Sequence, residues 1–80
     1  YRQYAGTYGG GPFTLKFSYD GRNLMVQSVF FNGLMREDKE DHFSFEPRDF
    51  KVEFVWGDDG KVNAVRVAMQ GGIELPRISD

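Results

Sequence analysis

Eighty residues and 9.2 kDa leave room for one small domain, and a chain of this size buries roughly 60–65% of its unfolded surface on folding. The composition is 40% hydrophobic, 28% charged and 16% aromatic, with no cysteine and a formal net charge of −2. A disulfide scaffold and any thiolate metal site are thereby excluded. A pI near 5.3 argues against nucleic acid as a partner, because phosphate binding needs a basic surface.

The longest apolar runs, Leu24-Met25-Val26 and Val29-Phe30-Phe31, are far too short for a bilayer-spanning helix, so no membrane span is expected. The chain opens Tyr1-Arg2-Gln3-Tyr4 without an apolar h-region, so no secretory signal is read there. That opening is read instead as the start of a C-terminal piece of a longer polypeptide, with residues 1–80 forming its single domain.

In chain order, turn-forming clusters fall at Gly9-Gly10-Gly11-Pro12, Asp20-Gly21, Asn32-Gly33, Pro47-Arg48-Asp49, Gly57-Asp58-Asp59-Gly60 and Gly71-Gly72. Their short intervals suit antiparallel strands better than helices of average length. Between them the pattern has period two. Phe13, Leu15, Phe17 and Tyr19 alternate with Thr14, Lys16 and Ser18; Val52, Phe54 and Trp56 alternate with Lys51, Glu53 and Val55; Val65, Val67 and Met69 alternate with Ala64, Arg66 and Ala68. Such alternation places one apolar face on each strand.

Strands are expected over 2–8, 13–19, 22–30, 42–46, 51–57 and 62–69, with another at 73–78 and a short one near 34–37. The run from Arg36 to Asp41 is polar throughout and reads as a solvated loop. The fold class is all-β, an antiparallel up-and-down meander of seven or eight short strands curled into a small barrel or half-barrel, which removes sticky sheet edges. Residues 17–26 echo residues 43–52 as strand, acidic turn, strand. A duplicated hairpin and chance convergence both give that pattern.

Chemistry-bearing residues are few. His42 is the lone histidine, so no two-histidine metal site forms. It shares a strand face with Ser44, but i and i+2 side chains sit about 6.5–7 Å apart, beyond the reach of a nucleophile and its base. Glu37, Asp38, Glu40 and Asp41 lack the Asp-x-Asp-x-Asp-Gly spacing of a calcium loop. Gly57 to Val62 and Gly9 to Pro12 lead into strands, where a phosphate loop requires a helix. No catalytic residue, metal ligand or cofactor is therefore assigned. Thirteen aromatic residues dominate instead, and their alternation with charges makes them core. If some line a cavity, the inward set is Phe17, Phe54, Trp56 and Met69, facing a small hydrophobic or carbohydrate ligand.

Tyr4-Ala5-Gly6-Thr7-Tyr8 resembles the Tyr-x-Gly-x-Tyr opening of the small domain of unknown function found C-terminal to beta-lactamase-like serine hydrolases. Phe43-Ser44-Phe45-Glu46-Pro47, Val52-Glu53-Phe54, Asp58-Asp59-Gly60-Lys61-Val62 and Gly71-Gly72-Ile73-Glu74-Leu75-Pro76-Arg77-Ile78 follow in that domain's order. The resemblance spans Tyr4 to Ile78; the stretch from Val29 to Asp41 departs from it by being more acidic and more aromatic. It implies a lipocalin-like barrel or half-barrel carried by a larger bacterial protein in the periplasm or outside the cell. The family's catalytic serine and lysine lie in the preceding hydrolase domain, and none maps onto this chain. The implied role is a non-catalytic accessory module partnered by the preceding domain of its own polypeptide. The alternative is a small-ligand-binding barrel.

Overall fold

Period-two alternation, broken by glycine-, aspartate- and asparagine-containing turns, yields strands wherever a half-buried surface is available. The computed structural model describes residues 2–10, 13–29, 31–45, 47, 50–68 and 72–79. A 3-10 turn at Arg2–Tyr4 leads into nine strands: β1 (Gly6–Gly10), β2 (Phe13–Tyr19), β3 (Leu24–Gln27), β4 (Asn32–Leu34), β5 (Arg36–Lys39), β6 (His42–Phe45), β7 (Phe50–Trp56), β8 (Val62–Val67) and β9 (Ile73–Ser79). All pairings are antiparallel, and the spatial order is β4-β3-β2-β1-β9-β8-β7-β6-β5.

The two ends of that order are joined by the chain itself. Only Met35 separates β4, which pairs with β3, from β5, which pairs with β6. The run 32–39 thus acts as one bent strand shared by both ends, and the sheet becomes a nearly closed up-and-down barrel, as the sequence pattern implies. Met35 N–H donates to the Leu24 carbonyl at 2.8 Å, carrying the β3 pairing into the bend. At the other junction β1 meets β9 through Thr7↔Ser79 and Tyr8↔Arg77, with a register shift between them. Closure of this kind leaves few free strand edges.

Three local expectations change. Residues 2–4 form a 3-10 turn rather than the start of a strand, because Tyr4 must swing inward to become buried. Asn32-Gly33 lies inside β4 and makes no turn; the actual turn comes earlier, where Ser28 N–H donates to the Phe31 carbonyl at 2.8 Å and ends β3 at Gln27. The charged run is a loop only at its end: Arg36–Lys39 form β5, whose side chains are all exposed and whose backbone pairs with β6, and Glu40 and Asp41 make the turn. Charges on such a strand keep its outer edge from recruiting another chain. The echoing segments belong to the β2–β3 and β6–β7 hairpins, which lie toward opposite ends of the strand order and run in reversed directions. The expected strand positions 30, 46 and 69 lie outside the described residues.

Turn chemistry fixes the β2–β3 hairpin. Asp20 Oδ1 accepts from Arg22 N–H at 2.9 Å and Asn23 N–H at 2.7 Å, and these two backbone donors hold its carboxyl below the usual range. Inside the barrel, Leu15, Phe17, Leu24, Val26, Phe43, Phe45, Phe50, Val52, Phe54, Val65 and Val67 are buried, while Lys16, Met25, Gln27, Lys51 and Arg66 are exposed outside.

Two glycines are demanded by contact. A methyl on Gly6 would lie 2.8 Å from the Ser79 carbonyl oxygen, and one on Gly33 would lie 2.6 Å from Cε1 of the buried Phe45 ring. Gly6→Ala is expected to lower the unfolding free energy by about 1–3 kcal/mol by forcing the β1–β9 seam apart, and Gly33→Ala by a similar amount through the ring shift it requires. Gly10→Ala, where a methyl meets nothing within 4 Å, should stay within about 0.5 kcal/mol of the parent chain. Urea midpoints for the three variants check the order.

Candidate functional site

The barrel end where β1 begins and β7 finishes gathers most of the unusual side chains. The 3-10 turn folds Tyr4 over this opening, where it stacks on Phe54 at 4.4 Å between centroids and 23° between planes. Its edge meets Phe43 at 5.3 Å. The Tyr4 carbonyl accepts from the buried Tyr8 hydroxyl at 2.9 Å, so backbone and ring are both fixed.

Tyr4 occupies the space above Phe54 that strand alternation assigns to Trp56. A bulge between Val55 and Trp56, pairing Trp56 with Val62, turns the indole outward instead. Trp56 is 43% exposed, its ring centroid 6.4 Å from that of Tyr4 with the planes at 68°. Asp41 ties the rim together. It sits at φ 66° in the β5–β6 turn, its carbonyl accepts from Phe54 N–H at 2.8 Å, and its Oδ1 accepts from Tyr4 at 2.5 Å and from Trp56 Nε1 at 3.0 Å. Burial first, then the Asp41 hydrogen bond and charge, push the Tyr4 phenol well above its ordinary value.

Arg77 of β9 is the counterpart. Its guanidinium donates to the carbonyls of Ala5 at 2.5 Å and Val62 at 3.0 Å, and lies 5.8 Å from the centroid of Tyr8. The 3-10 turn is thereby clamped to β8. Between this turn and the β7–β8 hairpin opens a cleft of about 460 Å³, lined by Arg2, Gln3, Ala5, Trp56, Gly60, Lys61, Val62 and Arg77.

The structure divides the cavity set read from the sequence. Phe17 and Phe54 meet directly, centroids 5.0 Å apart and planes at 73°, with Tyr8 and Phe43 also in edge contact; the middle of the barrel is occupied by these rings. Trp56 stands apart from them on the cleft wall, and Met69 lies outside the described residues. Tyr4, Asp41 and Arg77 were missed. Arg77 carried a signal, because it shares the strand phase of the buried Leu75 in β9; Tyr4 and Asp41 carried none.

His42 and Ser44 engage other groups. His42 Nε2 lies 3.7 Å from Glu53 Oε2, in a cross-strand row that continues through Arg66 to Glu74. Ser44, 4% exposed, donates to Asp38 Oδ1 at 3.2 Å and accepts from Arg36 at 3.3 Å. Among the described residues, no three metal-ligating side chains converge, and no helix is long and apolar enough to cross a membrane. Comparison with protein-family models, with characterised proteins and with solved structures returns no match.

The Tyr4–Asp41 bond has a pH signature. A phenol whose folded value lies above its unfolded value of 10.0 contributes its stability in full below that pH and loses it as pH rises beyond. Urea titrations from about pH 8 to about pH 11 should show stability declining by up to about 1.4 kcal/mol per pH unit above pH 10 from this group. Tyr4→Phe should lower neutral-pH stability by about 1–2 kcal/mol and flatten that alkaline limb. An unchanged limb would mean that Tyr4 ionises as it does in the unfolded chain.

Proposed function

We propose that this chain is a non-catalytic accessory module of a larger, bacterial serine-hydrolase-like protein, working by contact through the outside of its barrel. The observation that carries the reading is the interlocked interior: Tyr8, Phe17, Phe43 and Phe54 fill the space in which a ligand-carrying barrel keeps its pocket. A core of this kind is a rigid support, and recognition falls to the wall and rim. On the wall, Met25 and Leu34 face each other in register across β3 and β4, 37% and 55% exposed. The partner in this reading is the preceding domain of the same polypeptide, in keeping with the resemblance to modules appended to beta-lactamase-like hydrolases.

Two measurements test it. The chain alone is expected to leave p-nitrophenyl acetate and nitrocefin at their buffer rates; turnover that disappears in His42→Ala would make it an enzyme. In the full polypeptide, Met25→Lys combined with Leu34→Glu, an opposite-charge cross-strand pair, should leave the module's own stability within about 0.5 kcal/mol. The same pair should split a shared thermal transition into two and speed proteolysis between the domains. A single unaltered transition would remove this face from the contact.

A further inference from the structure

The geometry points to the cleft between the 3-10 turn and the β7–β8 hairpin as a binding site for a small carboxylate carried on a ring. This goes beyond the docking role and uses a different face, so either can fail alone. Three of the lining residues, Arg2, Lys61 and Arg77, are cationic, and among the described residues no aspartate or glutamate lines the cleft. That is a local reversal of sign in a chain with 12 acidic residues and a net charge of −2. Two carboxylates on the adjoining turns are already engaged: Asp41 Oδ1 accepts from Tyr4 and Trp56, and Asp59 Oδ1 accepts from the Lys61 N–H at 3.1 Å. Cations gathered in a concave site focus their field on an anion, and their bonds to a carboxylate are charge-assisted.

The second half of the recognition is apolar. The Trp56 N–H is engaged by Asp41, so the indole offers its ring, held at one orientation beside Ala5 and Val62. A flat hydrocarbon face or the C–H face of a sugar stacks on such a ring. At about 460 Å³, the cleft falls within the roughly 300–1,000 Å³ typical of small-molecule sites. Arg77, locked by the Ala5 and Val62 carbonyls, supplies the back of the site; Arg2 and Lys61, both exposed, supply the reach toward an incoming carboxylate.

Trp56 fluorescence provides the readout. Phenylacetate and glucuronate are titrated beside their neutral counterparts, benzyl alcohol and glucose. Saturable quenching by at least one of the two acids is expected, with a Kd on the order of 1 mM or tighter, and at least tenfold weaker binding of its neutral counterpart. Response to phenylacetate alone assigns an aromatic acid, and response to glucuronate alone a sugar acid. Arg2→Gln and Lys61→Gln should each weaken binding about five-fold without shifting the melting curve, and added salt should weaken it further. For Trp56→Ala the loss is read by calorimetry. Equal quenching by acids and neutral counterparts, no saturation by about 10 mM probe, or full affinity in Arg2→Gln/Lys61→Gln would each overturn the assignment.

Discussion

Among the described residues, the Phe54 ring touches four others, Tyr4, Tyr8, Phe17 and Phe43, at centroid separations of 4.4 to 5.8 Å. One contact is stacked and three are edge-on, the arrangements in which the positive rim of one ring meets the negative face of another. These five residues come from the 3-10 turn, β1, β2, β6 and β7, so a single cluster ties both halves of the meander together. An up-and-down barrel gains closure from hydrogen bonds, but its diameter is set by what fills it. Here rings set it. A smaller side chain at position 54 would leave a void among these rings, with the stability loss that a large-to-small core substitution carries.

The N-terminal turn then inherits two tasks. Its Tyr4 seals the aromatic cluster, while its Gln3 and Ala5 carbonyls receive the Arg77 guanidinium. Half-buried and bonded to these carbonyls, the guanidinium is costly to leave unsatisfied, which makes the turn part of the barrel rather than an appendage. The Asp41 carboxylate adds the complementary charge on the far side, taking the Tyr4 and Trp56 donors on one oxygen. Hydrogen bonds thus hold Tyr4, Trp56 and Arg77 at this end of the barrel, while Arg2 and Lys61 stay exposed.

The fold was largely legible because period two survives wherever one face is buried. Leu15 and Phe17, Val52 and Phe54, Val65 and Val67 all fall inside as alternation requires. Legibility failed where backbone pairing overrode local composition. Asn32-Gly33 has the residues of a tight turn, yet Gly33 is there to let the Phe45 ring lie against the strand. Arg36–Lys39 has the composition of a loop, yet its backbone completes the pairing of β6. The candidate site was less legible. Trp56 was assigned to the inner face by its phase, and only the competition with Tyr4 for the space over Phe54 expels it. That competition joins residues 52 positions apart and leaves no trace in local pattern.

The same competition explains why the cleft is where it is. Had Trp56 filled the barrel mouth, the 3-10 turn would have had no core position for Tyr4, and the Arg77 clamp no carbonyls to hold. With Tyr4 inside, the indole is left on the rim, the turn is drawn across to β8, and Arg2 is carried to the side of the cleft opposite Lys61. Core packing and surface charge are thus one arrangement. The turn that places Tyr4 in the interior also carries Arg2 and Gln3 to the cleft wall, so a substitution that loosens Tyr4 disturbs that wall as well.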